Sequence, residues 1–214
     1  MILILYIISQ NLPFTWSQSY STFDKAECLS PAEYSIGFGV DNYCIYSSTN
    51  DTIAYDERRF DLWVKSGVIK KLEFEVKYSY PTAGLIAIKY QITDMWIWSA
   101  FKLGFGYMKG TRIGYITDYV YDFYGYLLLE KNFVKNIKFL YTPKFIYSMH
   151  YRDRQEHSDR LPRYISHFGH CFGLKIGRDI EFIPEINWLW GNNEGKKYMV
   201  NQFGLGVNAK ISIL

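Results

Sequence analysis

The stretch His167-Phe168-Gly169-His170-Cys171 carries imidazole and thiol groups, which are the side chains that bind zinc and other transition metals. Its surroundings predict a β-strand, and residues three apart on a strand point to opposite faces, so His167 and His170 cannot hold one ion. His167 and Cys171 share a face, but two ligands are too few for a stable site. We therefore expect no metal and no other cofactor.

Ser148 is a candidate nucleophile because strand pairing would bring it near a base. If Tyr151 pairs with Tyr164 across a hairpin, Ser148 lies opposite His167, and the preceding hairpin sets Asp118 near Ser148. A serine, a histidine and an acid in contact are what nucleophilic hydrolysis needs. A slip of one residue destroys the arrangement, and such neighbours also arise by chance, so we favour a role without catalysis for these residues.

The elements that must position these side chains are β-strands, because alternation of apolar and polar residues dominates the chain after Ala32. Most of the predicted strands have about nine to fourteen residues, which is enough to cross a bilayer at a tilt. Ten strands are predicted: Tyr34–Ile45, Arg58–Ser66, Lys71–Tyr80, Gly84–Ile92, Met95–Tyr107, Asp118–Glu130, Ile137–Arg152, Tyr164–Ile176, Ile180–Trp190 and Tyr198–Ile211.

Each strand has one apolar face and one face that carries charges and glycines, as where Phe74 and Val76 alternate with Glu75 and Lys77. Small residues beside long charged ones suit the interior of a narrow barrel, where opposite charges can pair. We therefore expect the apolar face to contact lipid. The predicted lumen-lining residues are Asp61, Lys65, Glu73, Glu75, Lys77, Lys89, Lys102, Asp122, Lys144, Glu181 and Glu185.

The connections between the predicted strands support the same interpretation. Those at one end are mostly long and polar, and those at the other are short, which is typical of outer-membrane barrels. The long ones are predicted at Tyr46–Glu57, Met108–Thr117, Asp153–Arg163 and Gly191–Lys197. The predicted fold is all-β, an up-and-down antiparallel transmembrane barrel of about ten strands. A soluble, lipocalin-like carrier with the apolar face inside shares the alternation and is the alternative.

The hairpins RRFDLWVKSGVIKKLEFEVKYSYP and HFGHCFGLKIGRDIEFIPEINWLW resemble those of Gram-negative outer-membrane β-barrel proteins, and more loosely the small porin-like or transporter-like barrels among them. The resemblance implies location in the outer membrane, contact with membrane lipid and insertion by the outer-membrane machinery. It implies a structural or porin-like role, with a narrow or plugged charged lumen and small solutes as cargo. An outer-membrane hydrolase using Ser148 and His167 near the extracellular rim is the alternative.

The residues before the predicted barrel divide into two parts. Residues 1–18, MILILYIISQNLPFTWSQ, are similar to a secretory signal peptide, although no basic residue precedes the apolar run. Residues 19–33 are expected to form an N-terminal periplasmic segment, and residues 34–214 the barrel. The net charge of +3 is scattered along the chain, which argues against a nucleic-acid partner.

Overall fold

Ten antiparallel strands form a closed barrel in which each strand pairs with its neighbours in the chain and β1 pairs with β10. This computed structural model describes residues 21–47, 53–80, 83–112, 116–153, 163–193 and 196–212. The strands are β1 Glu33–Ser47, β2 Ile53–Ile69, β3 Leu72–Tyr80, β4 Ala83–Asp94, β5 Trp98–Arg112, β6 Ile116–Val134, β7 Ile137–Asp153, β8 Arg163–Gly177, β9 Ile180–Asn193 and β10 Lys196–Ser212. The predicted fold class is confirmed, whereas the predicted signal peptide at residues 1–18 lies outside the described residues.

The strands extend further than the alternation predicts, so three of the four predicted long connections are mostly strand. The connection predicted at Met108–Thr117 is an example, because β5 continues to Arg112 and β6 begins at Ile116. The fourth, Asp153–Arg163, lies outside the described residues except for its two ends. Backbone pairing holds a strand together even where its side chains are polar on both faces. The outer rim is the end of the barrel at Ser47, Arg112 and Asp153, where β1, β5 and β7 end, and the turn end is the opposite end, at residues 70–71 and 135–136.

The two faces of the barrel wall have the polarity of a membrane protein. On β3, Phe74 and Val76 are 39% and 48% exposed, whereas Glu73 and Lys77 are 2% and 5% exposed. A closed barrel leaves no unpaired strand edge, which is the condition for crossing a bilayer with strands. A soluble carrier requires the opposite arrangement, so that alternative is excluded. Among the residues that the structure describes, none forms a helix long and apolar enough to cross a membrane.

Part of the stretch predicted as a periplasmic segment, residues 19–33, lies inside the barrel. Its residues 21–30, called the inner segment here, lie within the lumen, and Ser21 to Ala26 are all buried. The inner segment joins β1 through a tight turn in which Glu33 N–H donates to the Ser30 carbonyl at 3.0 Å and Ala32 has a φ of 64°. The segment has no alternating pattern, which is why strand periodicity does not place it.

Towards the outer rim the lumen contains an apolar cluster beside buried charged residues such as Asp41 and Arg59, whereas the predicted set of lumen-lining residues contained only charged ones. Met108 and Val120 are fully buried, although they share strand faces with Lys102 and Asp122. The apolar cluster near the rim comprises Tyr43, Ala83, Leu85, Ala87, Met108, Val120, Tyr124, Tyr126, Ile146, Ile165, Leu189 and Val200. The inner segment lies towards the turn end, where it contacts Glu73, Glu130 and Glu181.

Candidate functional site

The candidate functional site is the part of the lumen that surrounds the inner segment. Alternation on each strand directs every second side chain inward, so ionic residues from several strands converge there. The structure buries all of the residues predicted to line the lumen, and each is at most 5% exposed: Asp61, Lys65, Glu73, Glu75, Lys77, Lys89, Lys102, Asp122, Lys144, Glu181 and Glu185. Charged groups buried to this extent require partners.

Carboxylate and amide side chains of the barrel accept hydrogen bonds from the main chain of the inner segment. These bonds satisfy N–H groups that neither a sheet nor a helix satisfies, as burial demands. At N···O distances of 2.6–3.2 Å, Thr22 and Phe23 donate to Glu185, Ala26 and Glu27 to Glu130, Cys28 to Gln91, and Leu29 to Glu73.

Lysines of the barrel bind the main-chain carbonyls of the same segment. With distances of 3.1–3.3 Å, Lys77 donates to the carbonyl of Ser21, Lys65 to that of Phe23, and Lys89 to those of Lys25 and Glu27. The inner segment is therefore held along its length by both its donors and its acceptors.

Asp24 is the electrostatic centre of the site. Its Oδ1 lies 2.8 Å from Lys65 Nζ and 3.0 Å from Lys89 Nζ, and its Oδ2 lies 2.9 Å from Lys102 Nζ. Burial alone would raise the pKa of Asp24, but the three ammonium groups outweigh burial and hold that pKa well below its ordinary value. Asp24 is therefore a carboxylate at neutral pH.

The same lysines also contact carboxylates of the wall. Glu75 lies 2.8 Å from Lys102 Nζ and 3.4 Å from Lys65 Nζ, and Glu73 lies 2.8 Å from Lys89 Nζ. These three cations therefore face three anions, two from the wall and one from the inner segment. The wall alone carries one positive charge in excess at this level, and Asp24 neutralises it.

A second ionic cluster holds the next part of the inner segment. Lys25 Nζ lies 2.6 Å from Glu181, which Lys175 also approaches at 3.1 Å. Glu27 lies 3.5 Å from both Lys25 and Lys138. Burial raises the pKa of Glu27, but Lys25 and Lys138 lower it by more, to about 2.

Phe23 occupies a slot in the wall that glycines form. Its ring stacks on that of Trp63, whose Nε1–H donates to Asn208 at 2.6 Å. A Cβ at Gly39 or Gly206 would lie only 2.4 or 2.6 Å from the Phe23 ring, so a side chain at either position would fill the slot. The glycines on the charged face were predicted to make room for charged neighbours, and here they make room for an aromatic ring.

The sequence-based prediction did not find the inner segment, because it treated residues 19–33 as lying outside the barrel. A signal was present in the repeated Gly-x-Gly pairs at residues 37–39 and 204–206. Glycines next to each other on β1 and β10 leave a gap on the inner face of the wall. Such a gap implies that a side chain from another part of the chain packs there.

The register places Ser148 and His167 differently from the prediction. Ser148 lies opposite Ile165 and Asp122, and His167 lies opposite Ile146, so the β7–β8 pairing is shifted by two residues. Both side chains still point inward and are buried. Ser148 Oγ has no hydrogen-bond partner among the described residues, so it makes no bond to His167.

The remaining members of the predicted catalytic group are also apart. His167 Nε2 lies 2.6 Å from the hydroxyl of Tyr198. Asp118 is opposite Arg152 and lies four positions from Asp122, the residue that pairs with Ser148. A serine activated by a histidine requires a hydrogen bond between them, and this geometry does not provide one.

Metal ligation has no support in the described part of the chain, where no group of three or more His, Cys, Asp or Glu residues is placed to hold an ion. His167 points into the lumen, whereas His170 lies on the lipid face with its Nδ1 2.7 Å from the Tyr141 hydroxyl.

A closed strand cylinder that is apolar outside and ionic inside defines a transmembrane β-barrel, and the protein is an outer-membrane β-barrel protein. Its surroundings are therefore outer-membrane lipid. No protein-family model matches the sequence, and no curated protein is significantly similar to it.

Solved structures of similar fold are outer-membrane barrels. They include Neisserial surface protein A, with a TM-score of 0.47 and 10% identity over 83% of this chain and 97% of that one. Ail of Yersinia pestis, in complex with the heparin analogue sucrose octasulfate, has a TM-score of 0.38 and 8% identity over 85% and 99%. The β domain of the Bordetella autotransporter BrkA has a TM-score of 0.37 and 10% identity over 82% and 98%. At these values the likeness carries no functional information.

Proposed function

We propose that the protein is a porin-like outer-membrane barrel whose lumen is closed by the inner segment and passes small solutes when that segment leaves. The observation that carries the proposal is the position of Asp24, which neutralises an excess of lysine charge on the wall. A permanent structural plug could be apolar throughout. An ionic contact with the wall can instead be exchanged for water and salt, because hydrated charges do not require one partner.

The fit of the inner segment supports a closed resting state. The cavity bordered by Asp24, Lys65 and Lys89 has a volume of about 10 Å³. A cavity of about 10–15 Å³ is the smallest that holds one water molecule. The space left beside Asp24 is therefore too small for a hydrated ion.

The main-chain contacts of the segment also support release as a unit. Its donors and acceptors bind side chains of the wall rather than another strand. Breaking these contacts leaves every strand pair of the barrel intact. The barrel can therefore keep its fold while the lumen opens.

Single-channel conductance in planar bilayers tests the proposal. Asp24→Lys places a fourth cation among Lys65, Lys89 and Lys102, so the segment should leave the lumen and the open fraction should rise at least tenfold. The control is Asp94→Lys, which makes the same charge change at an exposed ion pair with Lys71 and should behave as wild type.

The barrel of each variant must be folded, as heat-modifiable migration in gels reports. A folded Asp24→Lys barrel that conducts no better than wild type would contradict the proposal. The protein would then be a plugged structural barrel.

A further inference from the structure

The lumen binds the inner segment mainly through its main chain. Six N–H groups of the segment donate to side chains of the wall, and four of its carbonyls accept from lysines of the wall. Contacts to the main chain are available to any extended peptide, whatever its side chains. The wall therefore has the general features of a peptide-binding groove, closed into a tube.

Three adjacent contacts add sequence preference to this groove. They are the glycine-lined slot for Phe23, the lysine cluster for Asp24 and the carboxylate of Glu181 for Lys25. An aromatic, an acidic and a basic residue in succession match these three contacts.

The wall also offers the inner segment both cations and carboxylates. The lysines that bind Asp24 belong to β2, β4 and β5, whereas Glu130 of β6 and Glu185 of β9 accept main-chain N–H groups. A small anion would satisfy the lysines and be repelled by these carboxylates. A peptide, which carries both main-chain N–H groups and an acidic side chain, satisfies both.

We propose that the lumen is a binding site for a peptide with an aromatic, an acidic and a basic residue in succession, and that the inner segment is its resident occupant. The inference rests on the proposed displacement of that segment. A peptide supplied from outside takes the same site and closes the barrel again. In the wild-type protein the tethered segment competes at an effective concentration of about millimolar, so an added peptide is excluded.

The experiment uses the full-length Asp24→Lys protein, in which the segment is altered but every wall residue is unchanged. The probe is a fluorescent peptide of residues 21–30, STFDKAECLS, and the control peptide is STFKKAECLS. Fluorescence anisotropy should report that the variant binds the first peptide at least tenfold more tightly than the control, and that the wild-type protein binds neither. Phe23→Glu, which also leaves the wall unchanged, replaces Asp24→Lys if that variant does not fold.

Labelling of Cys28 reports whether the segment has left. A folded variant with an accessible Cys28 that binds neither peptide, or binds both equally, overturns the inference. A variant in which Cys28 stays protected also overturns it, because the lysine cluster would then not select an acidic residue. Closure of the pore by inorganic phosphate as effectively as by the peptide would assign the site to small anions instead.

Conductance separates this inference from the proposed function. If the barrel binds the peptide selectively but never conducts, the proposed channel function is wrong and the peptide-binding site stands. If the variant conducts but does not bind the peptide, the channel function stands and the proposed peptide-binding site is wrong.

Discussion

The ring of Phe23 in the inner segment stacks on the ring of Trp63 in β2, with centroids 5.5 Å apart and an angle of 21° between the planes. The contact is buried. The Phe23 ring also packs directly against Gly39 and Gly206, where a larger side chain would clash with it. Packing as well as charge therefore fixes the inner segment in the lumen.

Gly206→Val tests this slot. The added Cβ would lie 2.6 Å from Phe23, and overpacking of this kind costs about 1–3 kcal/mol. We expect a lower midpoint in urea unfolding of the detergent-solubilised protein. In the double variant with Phe23→Ala, the two effects should be less than additive, because the smaller residue accommodates the valine. Gly84→Val is the control, since a Cβ at Gly84 meets nothing within 4 Å. Strictly additive effects of the two substitutions on stability would mean that Phe23 does not pack against Gly206.

Asp24→Ala leaves Lys65, Lys89 and Lys102 facing only two wall carboxylates. Removing one member of a buried ion pair costs about 3–5 kcal/mol, whereas replacing both members by uncharged residues is often close to neutral. We therefore expect Asp24→Ala to lower the free energy of unfolding, and Asp24→Ala with Lys102→Met to recover most of the loss. Urea titration measures both. A double variant that is less stable than Asp24→Ala alone would contradict the pairing of Asp24 with Lys102.

Conductance should depend on pH through the carboxylates of the inner segment. The pKa of Asp24 is lowered in the folded protein, as burial is outweighed by the lysines, and that of Glu27 is lowered to about 2. Carboxylates with lowered pKa values stabilise the seated state above their unfolded pKa of about 4, and the stabilisation is lost as pH falls from there towards the folded pKa. We expect a closed barrel from pH 8 to about 5 and progressive opening below about pH 4. Opening between pH 8 and 6 would exclude these two groups as the cause.

Lipid contact can be measured with the tryptophans that the protein already has. Trp188 lies on the outer face, whereas Trp63 is buried inside the barrel. In variants that retain only one tryptophan, brominated lipids should quench Trp188 strongly and Trp63 weakly, because quenching requires close contact. Equal quenching, or the reverse order, would contradict the assignment of the two faces.

Strand periodicity predicted most of the barrel correctly. Alternation such as that of Phe74 and Val76 with Glu75 and Lys77 was sufficient to assign ten strands. A period of two leaves open which face is inside, and the glycines beside charged residues indicated that the apolar face contacts lipid. The register of the hairpins was harder to predict. In the structure β7 and β8 pair two residues out of the predicted register, so Ser148 lies opposite Ile165 and not His167. Periodicity carries no information about where a hairpin closes.

The position of the inner segment could not be predicted from the sequence for a different reason. Its position depends on contacts between Asp24 and lysines that are 41–78 residues away in the sequence. Local pattern cannot reveal such pairs. The apolar cluster in the lumen was missed because Met108 and Val120 follow the same alternation as the charged residues. Alternation says which face a residue is on, and not how polarity varies along the barrel axis.

The central claim is that the inner segment lies inside the barrel and leaves when Asp24 is lost, and the reaction rate of Cys28 with a maleimide tests it most directly. The measurement uses Cys28 as the single cysteine, with Cys44→Ser and Cys171→Ala. Burial raises the pKa of Cys28 to about 11. A released thiol has a pKa near 8.5, so at pH 7.5 Asp24→Lys should accelerate labelling on the order of 100-fold. Equal labelling rates of Cys28 with and without Asp24→Lys, whether rapid or slow, would contradict the account.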